Sequence, residues 1–356
     1  MKIQLTLICL LVVFNSLAQV KTDNPLKSKT DSIVHRAALV YMSDTARVGL
    51  SIGVIANGKS YIYNYGRVSP QSASLPSAHS LYEIGSITKT FTALMVAHGI
   101  AEKKMDLNED IRKYLKGNYP NLQYGNGEPV KLVYLLAHIG RFPRFFTKPV
   151  DAGFTTADLD NELHQIKLDT LKPYRYQYSN AGYQLLGQIL ENVYGQTYDE
   201  LLKRYITGPL QMVSTKVNIP ATDAPWLLNG YNAKKQIMPA MANALPGAGS
   251  IKSNMQDMLK YMDYQLKEPD AVVKTTHRPL YGTPETGENA MPWVINRNSN
   301  WDYFIREDGG TRGQRCFMAM FPDYQVGILL LSNQTDDNAG EKLYEAYNAI
   351  FNALKK

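Results

Sequence analysis

Cysteine is almost absent. The 356-residue chain has two, Cys9 and Cys316, and Cys9 lies in an apolar N-terminal segment, so once that segment is removed no intrachain disulfide can form. Cys316 opens the strand-like stretch 316–321 and reads as a small buried hydrophobe rather than a nucleophile. Long apolar runs are also missing, because residues 5–14 are too few for the roughly 20 that a spanning helix needs. With Lys2 before it and Ser16-Leu17-Ala18 after it, this run reads as the core of a signal peptide cut after Ala18, which sends residues 19–356 to the periplasm or the medium. The histidines, His35, His79, His98, His138, His164 and His277, include no pair at metal-ligand spacing, so neither a metal nor any other cofactor is expected. Gly49-Leu50-Ser51-Ile52-Gly53 has the letters of a Gly-x-Ser-x-Gly elbow, but it lies inside an alternating strand-like run rather than on a strand-to-helix turn, which argues against a Ser-His-Asp hydrolase. The formal charge of +6 is mild, and the basic residues are scattered without interleaved aromatics, so no nucleic-acid partner is expected.

What is present divides into strands at both ends and helices between. Val48, Leu50, Ile52 and Val54 alternate with the period of a strand, Asn57-Gly58 follows as a two-residue hairpin turn, and Tyr61-Ile62-Tyr63-Asn64-Tyr65 returns. Residues 69–80, rich in Ser, Pro and Ala, read as a loop. After Ser86, a helix is expected with Phe91, Leu94, Met95 and His98 on one face. Residues 105–244 carry helical patterns and few strand signals; the clearest helix begins near Ala181, presents Leu186, Ile189, Leu190 and Val193, and stops at Gly195. Residues 316–321 and 326–331 flank Pro322-Asp323-Tyr324-Gln325 as a second hairpin. Asn338 is placed to cap a last helix with Leu343, Ala346, Tyr347, Ile350, Phe351 and Leu354 as its apolar stripe. The fold class that follows is α/β in the α+β sense: an antiparallel sheet built from both termini (about 30–104 and 245–356), flanked by helices, with an inserted all-helical part (about 105–244). After the leader, residues 19–356 are expected to form one such domain and to act as a monomer.

Three groups of residues carry chemistry. Ser86-Ile87-Thr88-Lys89 is the only Ser-x-x-Lys in the chain. At a helix start the two side chains share a face, so the amine can take or relay the hydroxyl proton, and the positive end of the helix dipole lowers its pKa. Tyr178-Ser179-Asn180 directly precedes the Ala181 helix; a Tyr near two cations can shift toward phenolate and act as a base, and the Asn amide can bind a substrate carbonyl. Tyr119-Pro120-Asn121 and Tyr124-Gly125-Asn126 fit the same pattern but abut no strong helix. Glu307-Asp308-Gly309-Gly310 precedes the Cys316 strand, and its small residues allow a substrate backbone to approach and a backbone N–H to help form an oxyanion hole.

The stretch Leu81-Tyr82-Glu83-Ile84-Gly85-Ser86-Ile87-Thr88-Lys89-Thr90-Phe91 resembles the nucleophile segment of class C β-lactamases and their DD-peptidase and esterase relatives, the penicillin-recognising serine hydrolases. Tyr176-Gln177-Tyr178-Ser179-Asn180-Ala181-Gly182-Tyr183 resembles their second motif. Leu135-Leu136-Ala137-His138, Pro246-Gly247-Ala248-Gly249-Ser250 and the closing Leu331-Ser332-Asn333 agree in order and spacing. The resemblance runs from about residue 30 to the C-terminus and implies a β-lactamase/transpeptidase-like fold. It further implies Ser86 as nucleophile, Lys89 with Tyr178 as the proton-handling system, Asn180 on the acyl amide, and the Ser86 and Gly310 N–H groups on the oxyanion. Two positions depart from the family: Glu307 stands where its third motif begins with Lys or His, and His138-Ile139-Gly140-Arg141 replaces a His-Thr-Ser-Gly loop. His138 is read as structural.

Gly53-Val54-Ile55-Ala56-Asn57-Gly58-Lys59-Ser60 matches the Walker phosphate-loop pattern in letters, but a strand rather than a helix follows it, so no nucleotide is expected. The expected function is therefore that of an exported serine hydrolase cleaving an amide or ester through an acyl-enzyme at Ser86. Its substrate is a small molecule or a peptidoglycan peptide: a D-Ala peptide, a β-lactam, a D-amino-acid amide or a small ester. A class C-like β-lactamase proper and a non-catalytic relative that binds cell-wall peptides are the alternatives. Glu307 and Gly309 join Gly310 as expected substrate-binding positions. The negative charge of Glu307 is expected to disfavour substrates with a carboxylate near the scissile bond and to raise the Tyr178 pKa, unless Arg306, Arg312 or Arg315 compensates.

Overall fold

The computed structural model describes residues 20–151, 153–168, 175–297 and 302–356; the leader expected at residues 1–18 lies outside them. In chain order, helix α1 (Lys29–Met42) is followed by strands β1 (Gly49–Ala56), β2 (Lys59–Gly66) and β3 (Tyr82–Glu83). Helices α2 (Thr88–Ala101), α3 (Leu132–Leu136), α4 (Thr156–Gln165), α5 (Asn180–Tyr194) and α6 (Tyr198–Leu202) come next. After β4 (Gly230–Tyr231), β5 (Ile237–Met238) and β6 (Lys252–Ser253) the chain forms α7 (Met255–Lys267) and α8 (Ala271–His277). It closes with β7 (Tyr281–Thr283), β8 (Gly287–Asn289), β9 (Val294–Arg297), β10 (Tyr303–Gly310), β11 (Arg315–Phe321), β12 (Val326–Ser332) and α9 (Ala339–Leu354). Among the described residues no strand lies between Glu83 and Gly230.

Eight strands form one antiparallel sheet in the order β2-β1-β12-β11-β10-β9-β8-β7, so the first strands of the chain pair with the last. Both faces are covered, which explains why these strands read as nearly continuous apolar runs. Phe317, Ala319, Phe321, Ile328 and Leu330 join α1 and α9 in one core. Cys316, Met318, Met320, Leu329 and Leu331 point the other way, into the core shared with α2, α5 and α7, as the two-residue period requires. Burying each such Leu, Ile or Phe contributes about 1.5–3 kcal/mol. On the first face Phe351 stacks on Phe321 at 3.4 Å and Tyr347 on Phe317 at 4.6 Å.

Local signals account for the hairpins and the helix ends. Asn57 and Gly58 adopt φ of 52° and 69°, the left-handed pair a tight hairpin needs, and β2 follows directly. Ser179 caps α5 by accepting from Gly182 N–H at 2.8 Å, and Gly195 ends it at φ 63°. Two expectations change. Asn338 occupies the cap position of α9, but its side chain makes no capping hydrogen bond, because its backbone is helical at φ −101° and ψ −11° rather than extended. Helix α2 buries nearly its whole circumference rather than one face: it runs between the sheet side and the helical part, with Phe91 stacked on Tyr261 of α7 at 3.9 Å.

Candidate active site

Ser86 stands in a single 3₁₀ turn, Gly85–Ile87, that joins β3 to α2. Gly85 has φ 51°, and a Cβ there would lie 2.7 Å from the Gly310 nitrogen, so only glycine allows this turn to press against the end of β10. Gly309 is equally constrained, since its Cβ would meet the Ile84 carbonyl oxygen at 2.1 Å and the Ser86 nitrogen at 3.3 Å. The backbone nitrogens of Ser86 and Gly310 are thereby held close together at the base of a cleft of about 1500 Å³. Glu307, Asp308, Gly309 and Gly310 belong to strand β10, and the reversal falls later, where Thr311 N–H donates to Gln314 O at 2.9 Å. We expect Gly309→Ala to force β10 away from the nucleophile turn, with a loss of about 1–3 kcal/mol from overpacking and up to about 10²-fold in kcat from a widened oxyanion site. Thermal unfolding and steady-state kinetics check both; an unaffected kcat would mean that this spacing is not used.

The remaining groups converge on the Ser86 hydroxyl. Lys89, one turn into α2, is fully buried, and its Nζ lies 3.0 Å from Ser86 Oγ, 2.8 Å from Asn180 Oδ1 and 2.7 Å from the Ala248 carbonyl oxygen. Tyr178 O–H donates to Ser86 Oγ at 2.6 Å, and Nζ also sits 4.9 Å from the Tyr178 ring centroid. The structure thus brings Ser86, Lys89, Tyr178 and Asn180 together at the cleft floor, with Glu307 and Gly310 in its lining. The two other Tyr-x-Asn motifs are elsewhere: Tyr119 O–H donates to Asp160 at 2.8 Å and Tyr124 O–H to the Gly140 carbonyl at 2.7 Å.

Burial sets the protonation of these groups. Removal from water pushes the Lys89 ammonium down to about 7, against the smaller opposing influence of Glu307 and Asp308. Tyr178 moves the other way. Burial, and then the charge of Glu307, raise it well above the ordinary phenol range, so it is held as a phenol and the expected shift toward phenolate is overturned. Glu307 is buried and its carboxyl is itself pushed up, first by burial and then by Asp308. The arginines offered as compensation are engaged next door, with Arg315 2.8 Å and Arg306 3.7 Å from Asp308.

Two contributors lie outside the three chemical motifs. His138, read as structural, brackets the Tyr178 loop: its carbonyl accepts from Gln177 N–H at 2.7 Å, and its Nδ1 accepts from Ser179 N–H at 3.1 Å. Burial and the neighbouring Lys89 depress it to about 3, so a neutral ring packs 4.6 Å from Tyr178. The Ala248 carbonyl is the other, and only the glycine-rich stretch 246–250 hinted at it. Cys316 is buried, its thiol raised by burial. Among the described residues no cluster of His, Cys, Asp or Glu could hold a metal ion.

The family model described as Beta-lactamase matches residues 34–352. The chain belongs to the beta-lactamase family, a family of serine hydrolases. Curated relatives in the same family include the Beta-lactamase of Pseudomonas fluorescens, 25% identical over 92% of this chain and 99% of the relative. The Beta-lactamase of Providencia stuartii is 24% identical over 80% and 82%. Protein flp of Staphylococcus aureus is 27% identical over 84% of this chain, which spans 62% of that longer protein. Among solved structures, a beta-lactamase/D-alanine carboxypeptidase from Yersinia pestis superposes with a TM-score of 0.82 at 23% identity, covering 92% of this chain and 99% of that one. A class C beta lactamase does so at 0.80 and 21%, covering 91% and 98%. The family's β-lactamase/transpeptidase-like fold is therefore the fold of this chain, as the resemblance implied.

Proposed function

We propose that this beta-lactamase family member is an exported hydrolase that forms an acyl-enzyme at Ser86 and cleaves an amide or ester bond of a small molecule or a peptidoglycan peptide. The observation that carries the reading is the placement of Ser86 Oγ between Lys89 Nζ at 3.0 Å and Tyr178 OH at 2.6 Å. An ammonium at Lys89 donates to all three neighbouring acceptors. A neutral amine keeps its two N–H groups on the nearer acceptors, Asn180 Oδ1 and Ala248 O, and turns its lone pair to the Ser86 hydroxyl. Ser86 Oγ then attacks the carbonyl carbon as its proton passes to Lys89, and the oxyanion is held by the Ser86 and Gly310 N–H groups. Tyr178 gives its proton to the leaving atom as the carbon–heteroatom bond breaks, and the Lys89 proton restores the phenol. Asn180, whose Oδ1 Lys89 holds, offers its Nδ2 to the acyl amide carbonyl, and water reverses the sequence to release the acid.

The sign of the pH dependence follows. Because the working form is the neutral amine, kcat/KM is expected to rise as pH increases through about 7, the value to which burial lowers Lys89. A profile flat from pH 5 to 9 would contradict this assignment. Incubation with a fluorophosphonate or a fluorescent penicillin, with the labelled peptide mapped by mass spectrometry, tests the reading as a whole; an adduct elsewhere than Ser86 overturns it. Turnover of an ester, a D-Ala-D-Ala peptide and a cephalosporin in parallel then assigns the substrate class.

A further inference from the structure

Glu307 is buried to 6% exposure, yet it lines the cleft, and its carboxyl makes no hydrogen bond or ion pair with any described side chain or backbone group. Strand alternation sends it to the opposite side of β10 from Asp308, which keeps Arg306 and Arg315 for itself. A largely buried carboxyl without a protein partner is costly, and a ligand that brings donors and compensating charge recovers part of that cost. Glu307 and Tyr178 line the same cleft, and Tyr178 is the proposed proton donor to the leaving atom, so the leaving group is the part of the substrate whose charge Glu307 is taken to read. Lys89 is the cation that acts on it most, but its Nζ is engaged by Ser86, Asn180 and the Ala248 carbonyl and burial lowers it to about 7; Lys148 pairs with Asp158 at 2.6 Å, and Arg144 and Arg312 are exposed, where water and salt screen them.

We propose that Glu307 is the recognition site for a cationic group, a primary ammonium, carried on the leaving group of the substrate. The inference rests on the acyl-enzyme reading above and specifies its substrate class: esters or amides that release an amine-bearing alcohol or amine. The ammonium donates to the Glu307 oxygens within the cleft, and a leaving group with a carboxylate in the same place meets a carboxyl that offers it no counter-charge.

The test is a matched series of 3-(aminomethyl)phenyl, 3-ethylphenyl and 3-carboxyphenyl butyrates, assayed on wild type and Glu307→Gln. Normalising each kcat/KM to the 3-ethylphenyl ester within the same protein cancels general effects of the substitution. A charge-assisted hydrogen bond of ordinary strength predicts that the wild-type preference for the aminomethyl ester exceeds that of Glu307→Gln by about 10- to 100-fold. Glu307→Lys is expected to reverse the order in favour of the carboxyphenyl ester. Equal ratios in wild type and Glu307→Gln overturn the proposal. If none of the esters is turned over, protection of Ser86 from a fluorophosphonate by 3-(aminomethyl)phenol decides, and protection that is the same in both proteins overturns it. The two readings fail separately: 3-ethylphenyl butyrate hydrolysis that survives in Ser86→Ala sinks the acyl-enzyme, whereas Ser86-dependent hydrolysis without a charge preference sinks only the ammonium site.

Discussion

Ser86→Ala is expected to lower kcat by about 10⁴-fold or more on any substrate the protein accepts, and to abolish covalent labelling. The magnitude follows from the role: without the hydroxyl no acyl bond can form, and what survives is the contribution of binding and of the oxyanion site, as seen when serine nucleophiles are removed elsewhere. Stability should change far less. Ser86 Oγ accepts from both Tyr178 and Lys89, and its removal leaves one phenol and one amine short of an acceptor beside an open cleft. Water can enter there, so the penalty stays near the lower end of the 1–3 kcal/mol typical of an orphaned donor. Comparing labelling, turnover and thermal unfolding in one preparation separates a lost nucleophile from a lost fold. Retention of even a tenth of wild-type turnover would place the attacking group elsewhere.

The catalytic segment was legible because its geometry is local. Ser86 and Lys89 are brought together by one helical turn, and Tyr178 and Asn180 are presented by the start of α5, whose cap and stop residues could be read directly. The central strands were legible for a similar reason, since β1, β11 and β12 are long and apolar. The far edge of the sheet was not. Strands β7, β8 and β9 contain Tyr-Gly-Thr, Gly-Glu-Asn and Val-Ile-Asn-Arg, too short and too polar to show a period, and they are strands through successive pairing, β9 on β10, β8 on β9 and β7 on β8.

Protonation was the least legible property. The sequence allowed a tyrosine between cations, but the state of Tyr178 depends on its burial and on Glu307 from a distant strand. The favourable partners that a reader would assign to Glu307 are instead drawn to Asp308, one residue on and on the other side of the strand. Propensity and motif cannot report which of two adjacent carboxyls an arginine reaches, because the answer lies in the alternation of β10 and in where β11 places Arg315.

The same electrostatics yields a division of labour between Lys89 and Tyr178 that two variants can separate. Lys89→Ala removes a group beside Ser86 whose proton affinity burial brings down to about 7. It also strands Asn180 Oδ1 and the Ala248 carbonyl, so a fall of about 10²–10⁴-fold in kcat/KM is expected for every substrate, together with some loss of stability. Tyr178→Phe removes only the proton donor to the leaving atom. Its cost should therefore track the basicity of that atom: about 10²-fold or more for an amide, whose nitrogen cannot leave unprotonated, and little for an activated aryl ester. The pH profiles should divide in the same way. Wild type and Tyr178→Phe should both gain activity as pH rises through about 7, the region in which buried Lys89 gives up its proton, and Lys89→Ala should lose that rise. Thermal unfolding of both variants shows whether a drop in rate reflects chemistry or folding. If instead Tyr178→Phe loses the rise and Lys89→Ala keeps it, the phenol is the base after all, and Glu307 must be neutralised in the working enzyme by a group that the substrate brings.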